Sequence, residues 1–444
     1  MSSPVFLAPE SARAVNRSDS NRLEPADRPA HDWYRFVLSY PPHLVREYTE
    51  HFELDAGATV LDPFCGTGTT VVECQKLGLQ GIGVEAHPMA HFASTTKLDW
   101  TPDPDQMERA AARIAERVLV SLETAGIIDD PQPNLMLEPP PAAMLRRLPD
   151  CAAKLLLKDS ISPLPLHKTL VLLDAIDASP RFRAHFRLAL ARALVTTISN
   201  LHFGPEVGVG PAKEDAPVVS TWLARICQMA HDIRSLHGLP AIRGQVLHAD
   251  ARETPSLLKP KSIDAVITSP PYPNEKDYTR TTRLESVLLG FFRDKATLQV
   301  LKRTMLRSNT RGVYKGDDDD RWIAMHPEIE RVAVEIERRR IEMGKTSGFE
   351  RLYARVTKLY FGGMAKHLAE LRPLLRRGTR LAYVVGDQAS YLRVMIRTGQ
   401  LLGAIAEQLG YEVTSLDLFR TRLATATREQ LREEVLVLRW RGTR

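Results

Sequence analysis

The sequence predicts an α/β fold built on a doubly wound sheet, with an antiparallel edge strand and mainly helical insertions. Three observations support this prediction. A compact strand–helix–strand pattern occupies residues 58–85, the same alternation resumes at residues 244–268, and two strands joined by a loop close the chain at residues 412–440. Strands connected through a helix lie parallel, whereas strands joined by a short loop pair antiparallel.

Length and composition indicate a soluble, multi-segment protein. The chain has 444 residues, of which 43% are hydrophobic and 26% are charged. This length exceeds the roughly 250–300 residues at which a single core stops growing, so we expect one core interrupted by insertions. No stretch is apolar enough for a membrane span and the N-terminus lacks the apolar segment of a signal peptide. The expected location is therefore the cytoplasm, without a membrane partner.

Charge and cysteine content narrow the functional classes. The net charge of +6 is compatible with a nucleic-acid partner, because clustered Lys and Arg side chains release counterions from phosphates. The four cysteines form no CxxC pair, so neither a disulfide framework nor a structural zinc site is indicated.

The core is predicted to alternate with insertions along the chain. Residues 1–30 are polar and proline-rich without apolar periodicity, which indicates a disordered tail. The predicted divisions after it are core residues 31–100, a helical insertion at 101–239, core residues 240–288, a smaller insertion at 289–346 and core residues 347–444.

In the first core segment each element has a local cause. After the proline pair of "SYPP", Leu44, Val45, Tyr48 and Phe52 recur at helical spacing. "TVLDPF" is then a buried strand, "CGTGT" a glycine turn, "TVVECQKLGL" a helix that ends near Gly78, and "GIGVE" the next strand.

The later elements follow the same reasoning. "DQMERAAARIAERVLVSLETAG" and "RFRAHFRLALARALVTTISNL" have the amphipathic spacing of helices in the larger insertion. "GQVLHADARE" and "SIDAVIT" are the strands that resume the core. "FERLYARVTKLYFGGMAKHLAELRPLL" predicts a long helix, "RLAYVVGDQ" a strand, "YLRVMIRTGQLLGAIAEQLG" a helix, and "EVTSLDLFRT" with "EEVLVLRW" the antiparallel closing strands.

The glycine turn predicts a nucleoside site. Gly66 and Gly68 allow the backbone to approach a ligand at a helix N-terminus, and Glu85 at the tip of the next strand is placed to accept hydrogen bonds from ribose hydroxyls. No Lys follows the glycines and the third glycine of a dinucleotide site is absent, so a nucleoside without pyrophosphate fits best. Asp250, after the strand "VLH", is a candidate partner for an adenine amino group.

The stretch "SPPY" follows the strand "SIDAVIT" directly. Ser269 Oγ and the Pro270 carbonyl are two acceptors for an exocyclic amino group, and proline fixes the direction of the carbonyl because its φ angle cannot rotate. Tyr272 offers an aromatic face for a base flipped out of a helix. Taken alone, a simple turn after a strand explains "SPPY" equally well.

The two motifs together resemble those of the amino-methylating DNA methyltransferases, which use S-adenosylmethionine to modify cytosine N4 or adenine N6. "DPFCGTGT" is similar to their cofactor loop, "GVEAHP" to their ribose acid, "SYPPHLVREYTEHF" to their methionine-end helix, "HADA" to their adenine-side acid and "TSPPY" to their catalytic loop. The resemblance implies a Rossmann-like methyltransferase sheet and makes the helical insertion at 101–239 a candidate for target recognition.

The resemblance also implies roles for individual residues. It implies cofactor contacts by Tyr40, Asp62, Phe64, Gly66, Gly68, Thr69, Glu85 and Asp250. It implies a catalytic loop formed by Ser269, Pro270, Pro271 and Tyr272. Methyl transfer requires no metal, and the acidic run "DDDD" at residues 317–320 is predicted to be a solvated loop.

Ser at position 269 is the form found mainly in cytosine-N4 enzymes. The predicted function is therefore site-specific methylation of cytosine N4 in double-stranded DNA, with base flipping, in restriction-modification or phage defence. A cognate restriction endonuclease is a candidate partner. The alternatives are an adenine-N6 DNA methyltransferase, an RNA amino-methyltransferase and a non-catalytic, methyltransferase-like DNA-binding subunit.

Two further groups of residues bear on this prediction. Cys65 lies inside the cofactor turn and not after a proline on a catalytic loop, which argues against a thiolate mechanism at cytosine C5. Basic side chains after the catalytic loop either track DNA phosphates or are ordinary surface arginines: Arg280, Arg283, Arg303, Arg307 and Arg311.

Overall fold

A computed structural model describes residues 23–35, 39–129, 141, 143–203, 206–239, 242–274, 276–423 and 430–442. The described chain divides into two compact units. The glycine-turn unit contains residues 23–251 and 276–305, and the SPPY unit contains residues 252–274 and 306–442. Residues 1–22 of the predicted tail lie outside the described residues. Its last part is folded, because Asp27 and Ala30 are buried.

The predicted fold class is confirmed by a seven-stranded, mostly parallel sheet combined with helices. In the glycine-turn unit, β1 (Thr59–Asp62), β2 (Gln80–Val84) and β5 (Gln245–Leu247) pair parallel in the order β5-β2-β1. A small antiparallel hairpin of β3 (Leu201–Phe203) and β4 (Val207–Val209) lies within the larger insertion, where the sequence predicts only a glycine and proline loop.

The helices of this unit occur where apolar periodicity predicts them. Leu44, Val45 and Tyr48 are buried on one face of the helix after the proline pair. The helices are α1 (Arg28–His31), α2 (Pro42–His51), α3 (Thr69–Lys76), α4 (Pro88–Lys97), α5 (Pro104–Thr124), α6 (Asp150–Ala153), α7 (Pro163–Asp177), α8 (Arg183–Ala193), α9 (Val219–Leu236), α10 (Tyr278–Thr281), α11 (Arg283–Leu288) and α12 (Lys295–Thr304). A π-helical turn, Leu194–Ile198, follows α8.

The larger insertion is held together by an apolar core and a buried ionic cluster. Met107 and Ile114 of α5 pack in one hydrophobic cluster with Trp222 of α9. The ammonium group of Lys168, on α7, lies 2.8 Å from Asp215 Oδ2 and 3.4 Å from Asp129 Oδ1. Asp129 also accepts hydrogen bonds from the first backbone N–H groups of α9, which satisfies donors that a helix N-terminus leaves free.

The SPPY unit contains the remaining strands and three helices. Its strands are β6 (Ile263–Thr268), β7 (Leu375–Gly386), β8 (Tyr411–Leu423) and β9 (Gln430–Trp440), and its helices are α13 (Pro327–Glu342), α14 (Tyr353–Leu371) and α15 (Thr398–Gln408). β6 and β7 are parallel, whereas β7–β9 and β9–β8 are antiparallel, so the strand order is β6-β7-β9-β8. The reversed strand is therefore β9, one position inside the edge strand β8.

Two predictions for this unit need correction. The helix predicted from Tyr391 begins only at Thr398, because Leu392 and Arg393 adopt left-handed φ angles of 55° and 65°. The predicted solvated "DDDD" loop is ordered: Asp317 forms two 2.8 Å hydrogen bonds with Arg307, and Asp319 pairs with Arg252.

A glycine pair in α14 explains why this acidic segment can pack so closely. A Cβ atom on Gly362 would lie 2.0 Å from the Asp319 carbonyl oxygen, and one on Gly363 would lie 2.4 Å from Leu306 Cδ1. Only the absence of side chains at these two positions lets the loop approach the helix. Among the described residues, no cluster of three or more His, Cys, Asp or Glu side chains is arranged to hold a metal ion.

None of the helices in the described ranges combines the length and apolar character needed to cross a membrane.

Candidate functional site

The glycine turn connects the end of β1 to the start of α3. Gly66 and Gly68 have φ angles of 53° and 90°, in the left-handed region that favours glycine. Gly68 is the N-cap of α3, and a Cβ atom there would lie 3.0 Å from Ser94 Cβ. Thr69 follows as the first helical residue and is buried. The turn therefore brings bare backbone to a helix N-terminus, as the predicted nucleoside site requires.

Glu85 closes this turn from the end of β2. Its Oε2 accepts a hydrogen bond from Gly66 N at 2.7 Å, and its Oε1 accepts one from His87 N at 2.7 Å. An ionised carboxylate has about four acceptor positions, so roughly two remain for ligand hydroxyls. Burial disfavours the charged form and raises the pKa of Glu85 to about 7.

Asp62 and Tyr40 approach the turn from either side. Asp62 is fully buried at the end of β1 and accepts a hydrogen bond from Phe64 N at 3.1 Å. Tyr40 precedes α2, and its hydroxyl contacts Thr70 Oγ1 and lies 3.5 Å from Asp62 Oδ2. Burial and the nearby Asp62 hold the pKa of Tyr40 well above its usual value, so the phenol stays protonated as a donor.

Asp250 belongs to the same edge of this unit. β5 pairs parallel with β2, and Ala249 N donates to the Glu85 carbonyl at 3.2 Å. Asp250 is the next residue and is 9% exposed. All eight predicted cofactor residues thus lie in the glycine-turn unit, on the turn or on elements that adjoin it. Their contacts with a cofactor stay predictions.

Lys97 was missed by sequence analysis. It is the last residue of α4 and is 1% exposed, and its Nζ donates to the Thr67 carbonyl at 2.9 Å, between the two glycines of the turn. Burial and the neighbouring guanidinium groups of Arg35 and Arg192 hold its pKa well below the usual value. No sequence signal distinguishes it from an ordinary lysine at a helix C-terminus.

His87 is the second missed residue. Its Nδ1 accepts from Met89 N at 3.2 Å as the N-cap of α4, so Nε2 carries the proton and donates to Thr282 Oγ1 at 2.9 Å. Burial lowers its pKa to about 4, which keeps the ring neutral near pH 7. A polar residue directly before Pro88 is the signal that predicts such a cap.

The segment after the catalytic loop is anchored in the glycine-turn unit. Asp277 caps α10 by accepting from Thr279 N at 3.0 Å and pairs with Lys302 at 2.6 Å. Burial, with a smaller contribution from the charge of Glu85, raises the pKa of Tyr278 to about 12. Tyr278 is therefore electrostatically coupled to the carboxylate at the end of β2.

Cys65 is not a nucleophile in this arrangement. It lies in the glycine turn and is buried, and a Cβ atom on Gly83 would lie 2.5 Å from its sulfur. Burial and the charges of Asp62 and Glu85 raise the pKa of its thiol well above the usual value. A protonated, enclosed thiol cannot attack a base.

The SPPY loop begins where β6 ends. Ser269 Oγ donates a hydrogen bond to the Val384 carbonyl of β7 at 3.1 Å. Because the hydroxyl proton is engaged with β7, the lone pairs of Ser269 Oγ are available as acceptors. Pro270 is buried and Pro271 is partly exposed, so the loop lies flat against its own unit.

Tyr272 packs against bare backbone. A Cβ atom on Gly386, the last residue of β7, would lie 2.8 Å from Tyr272 Cε2. The ring is partly exposed, and its carbonyl accepts from Asn274 N at 2.8 Å. Gly386 is a third residue that sequence analysis missed, because its importance depends on β6 and β7 being neighbours.

The arginines after the loop differ in their availability. Arg307 is 5% exposed and held by Asp317, so its assignment as a phosphate contact is wrong. Arg283 donates to the carbonyls of Thr279 and Leu155, which indicates a packing role. Arg303 and Arg311 are exposed.

Comparison with known proteins agrees with these motifs. Residues 15–94 match the family model of N6/N4 DNA methylases. The Type II methyltransferase M.BsoBI of Geobacillus stearothermophilus is 24% identical, with 95% of this chain and 86% of that protein covered. The Type II methyltransferase M.AvaI of a Nostoc species is 22% identical, with 93% of this chain and 86% of that protein covered.

Among solved structures, TrmN from Thermus thermophilus covers 93% of this chain and 52% of its own at 12% identity, with a TM-score of 0.26, too low to bear on fold or function. The sequence relatives confirm the resemblance to the amino-methylating DNA methyltransferases, whose methyl donor is S-adenosylmethionine.

Proposed function

We propose that this protein, a DNA methyltransferase of the N4/N6 amino-methylating family, transfers the methyl group of S-adenosylmethionine to N4 of a cytosine flipped out of double-stranded DNA. The observation that carries the proposal is the hydrogen bond from Ser269 Oγ to the Val384 carbonyl at 3.1 Å. It leaves the serine oxygen as an acceptor for one amino hydrogen of the base.

The glycine-turn unit has the residues to hold the cofactor. Glu85 uses two of its acceptor positions on Gly66 N and His87 N and retains others for the ribose hydroxyls. Gly66 and Gly68 leave space for close approach of the nucleoside, and Asp250 supplies an acceptor for the adenine amino group. S-adenosylmethionine, when bound, supplies an electrophilic methyl group on its sulfonium.

The SPPY unit has the residues to activate the amino group. An amino nitrogen conjugated with a nucleobase is a poor nucleophile. Acceptors at Ser269 Oγ and at the Pro270 carbonyl hold both of its hydrogens and favour a tetrahedral nitrogen with an available lone pair. Tyr272 stacks on the everted base, which is worth about 1–3 kcal/mol per base in single-strand binding. The nitrogen displaces the methyl group directly, and the lost proton leaves through Ser269 or to water.

These residues act mainly by positioning and hydrogen bonding. No covalent enzyme intermediate forms, since the thiol of Cys65 is buried and protonated. This chemistry also suits adenine N6, which is a conjugated exocyclic amine. Cytosine is preferred because Ser, rather than Asp, begins the catalytic loop.

The decisive experiment is nucleoside analysis of a methylation-free bacterial host that expresses the protein. Enzymatic digestion and mass spectrometry of genomic DNA should detect 4-methylcytosine, and Ser269→Ala should remove it. 6-Methyladenine instead would establish the adenine-N6 alternative, and modified nucleosides in tRNA alone would establish the RNA alternative. No modification in any nucleic acid, with cofactor binding absent as well, would leave the non-catalytic DNA-binding subunit.

Kinetic dissection separates the two sets of residues. Ser269→Ala should lower kcat by about 10²–10³-fold, the range seen when one preorganised hydrogen-bonding group is removed, with little change in the cofactor dissociation constant. Glu85→Ala should instead weaken cofactor binding by about tenfold or more, because it removes charge-assisted hydrogen bonds. The opposite pattern would show that the two roles have been exchanged.

We also propose that methylation is sequence-specific and belongs to a Type II restriction-modification pair, as the names of the relatives suggest. DNA from the expressing host should resist at least one restriction endonuclease in a panel that cleaves DNA from the parent host. Cleavage by the whole panel, with 4-methylcytosine present, would argue against a protective role.

A further inference from the structure

We propose that one face of the β7–β9–β8 ribbon, formed by Gln388, Arg420 and Arg422, binds the DNA strand that carries the target base. The two arginines hold phosphates of this strand, and the Gln388 amide contacts the everted base. This inference rests on the proposed function, because it assumes that the SPPY loop receives a base from DNA.

The ribbon extends past the point where the catalytic loop begins. β7 ends at Gly386, which pairs with Glu433 of β9, whereas β8 and β9 continue pairing as far as Leu423 and Gln430. β6 and β7 are parallel, so Ser269 follows the end of β6 at the same edge from which this extension projects. The extension therefore lies beside the SPPY loop within one unit.

One face of the extension is marked by Tyr272. A Cβ atom on Gly386 would meet both the Tyr272 ring, at 2.8 Å, and Glu433 Cγ, at 3.3 Å. Tyr272 and Glu433 thus share a face of the ribbon. Side chains alternate along a strand, so positions two residues away from Gly386 and Glu433 point to this face as well.

Two arginines converge on this face through a single carboxylate. Arg420 Nε lies 2.5 Å from Glu433 Oε2 and Arg422 Nε lies 2.8 Å from Glu433 Oε1. The side chain of Glu433 is 8% exposed, whereas those of the arginines are 27% and 40% exposed. One buried carboxylate fixes both guanidinium groups and leaves one net positive charge at the surface. Guanidinium groups held in this way suit bidentate phosphate contacts.

Gln388 adds a group that the folded protein leaves unused. It lies two residues beyond Gly386 and is 5% exposed. Its backbone is paired with Ile396 in both directions, but its side-chain Nε2 has no hydrogen-bond partner. A buried amide donor without a partner costs about 1–3 kcal/mol, which a ligand acceptor at this position would offset. The ring nitrogen and carbonyl oxygen of cytosine are acceptors of this kind.

Salt dependence of DNA binding tests the arginines. Anisotropy titrations with a fluorescent duplex give the slope of log K against log salt. In Arg420→Gln and in Arg422→Gln this slope should be smaller by about 1 for each phosphate that the variant no longer neutralises. Arg420→Lys and Arg422→Lys, which keep the charge, should retain most of the slope.

Arg441→Gln is the matched control. Arg441 pairs with Glu412 at the opposite end of the same ribbon, so it should leave the slope unchanged. A wild-type slope in both ribbon variants would overturn the proposal. An equal decrease in Arg441→Gln would overturn it too, since the effect would then reflect overall charge only.

Gln388 is tested after the modified base has been mapped. Gln388→Leu should lower kcat about tenfold or more without changing the cofactor dissociation constant, because a positioned hydrogen bond is removed. It should weaken binding to a duplex with the intact target base but not to one with an abasic site at that position. Equal effects on both duplexes would show that Gln388 does not contact the base. Because methylation by the wild-type protein is measured first, failure of the proposed function is distinguishable from failure of this inference.

Discussion

Glu85 combines a structural task with a binding task, since it closes the glycine turn and keeps acceptor positions for a ribose. Its pKa of about 7 lies within the working range of most enzymes. The charged carboxylate is the stronger acceptor, so protonation should weaken cofactor binding.

We therefore expect the dissociation constant for S-adenosylmethionine to decrease between pH 6 and 8, with a limiting slope of about tenfold per pH unit on the acid side of the pKa. Isothermal titration calorimetry at constant ionic strength measures this. Glu85→Gln, which cannot ionise, should bind more weakly and with a flat pH profile. An unchanged profile in this variant would assign the titration to another group.

The same carboxyl has the opposite effect on folding. Its pKa is higher in the folded chain than the ordinary value of 4.5, so the folded state binds the proton more readily. The stabilisation from this group is complete below about pH 4.5 and is lost as the pH rises through about 7. Without cofactor, Glu85 therefore favours the folded state at acid pH.

Gly386 controls the position of the Tyr272 ring. Gly386→Ala would place a Cβ atom 2.8 Å from the ring, so the ring must move. We expect kcat to fall about tenfold or more, since small displacements of a positioning group are costly, while cofactor affinity stays the same. Steady-state kinetics and calorimetry measure the two quantities.

Gly403→Ala is the matched control, because a Cβ atom in that α15 position meets no atom closer than 3.6 Å. It should leave kcat unchanged. Equal kinetics for both alanine variants would mean that the ring position is not important for turnover.

At the scale of elements, the helical insertion depends on a cation that no solvent reaches. Lys168, on α7, has a fully buried side chain and connects the end of the segment after α5 to the segment before α9 through Asp129 and Asp215. The members of this cluster lie far apart in sequence, so it joins three separate parts of the insertion.

Lys168→Met should lower the free energy of unfolding by about 3–5 kcal/mol, because it leaves buried carboxylates without their cation. Urea denaturation followed by circular dichroism measures this change. Arg338→Gln, which removes an exposed helical ion pair with Glu335, should cost only about 0.3–0.5 kcal/mol. Similar losses in the two variants would show that the buried cluster has no special role.

At the scale of the whole molecule, cofactor binding should stabilise the folded chain by mass action. At a cofactor concentration 100 times the dissociation constant, the expected gain is about 2.7 kcal/mol. Urea denaturation with and without S-adenosylmethionine measures it. Ser269→Ala should retain the gain at a fixed cofactor concentration and Glu85→Ala should lose most of it. Loss in Ser269→Ala alone would contradict the assignment of cofactor binding to the glycine-turn unit.

Local patterns in the sequence were sufficient for most of the architecture. Apolar residues at helical spacing predicted α2 and α5, the glycine turn predicted the passage from β1 to α3, and the loop between the last two strands predicted their antiparallel pairing. Each of these features depends on residues that are neighbours in the chain, so short-range rules apply. The helix predicted from Tyr391 began late because the left-handed φ angles of Leu392 and Arg393 have no such short-range signal.

The sequence by itself determined the fold class, the two motifs and the type of chemistry, because strand and helix periods and turn residues are local properties. Tertiary structure alone decided which distant groups meet: Lys97 on the Thr67 carbonyl, Gly386 under Tyr272, and the acidic run against the glycine pair of α14. The physical reason is that burial and hydrogen-bond pairing depend on which elements pack together, and a lysine, a glycine or an aspartate has the same local pattern whether its partner is water or another side chain.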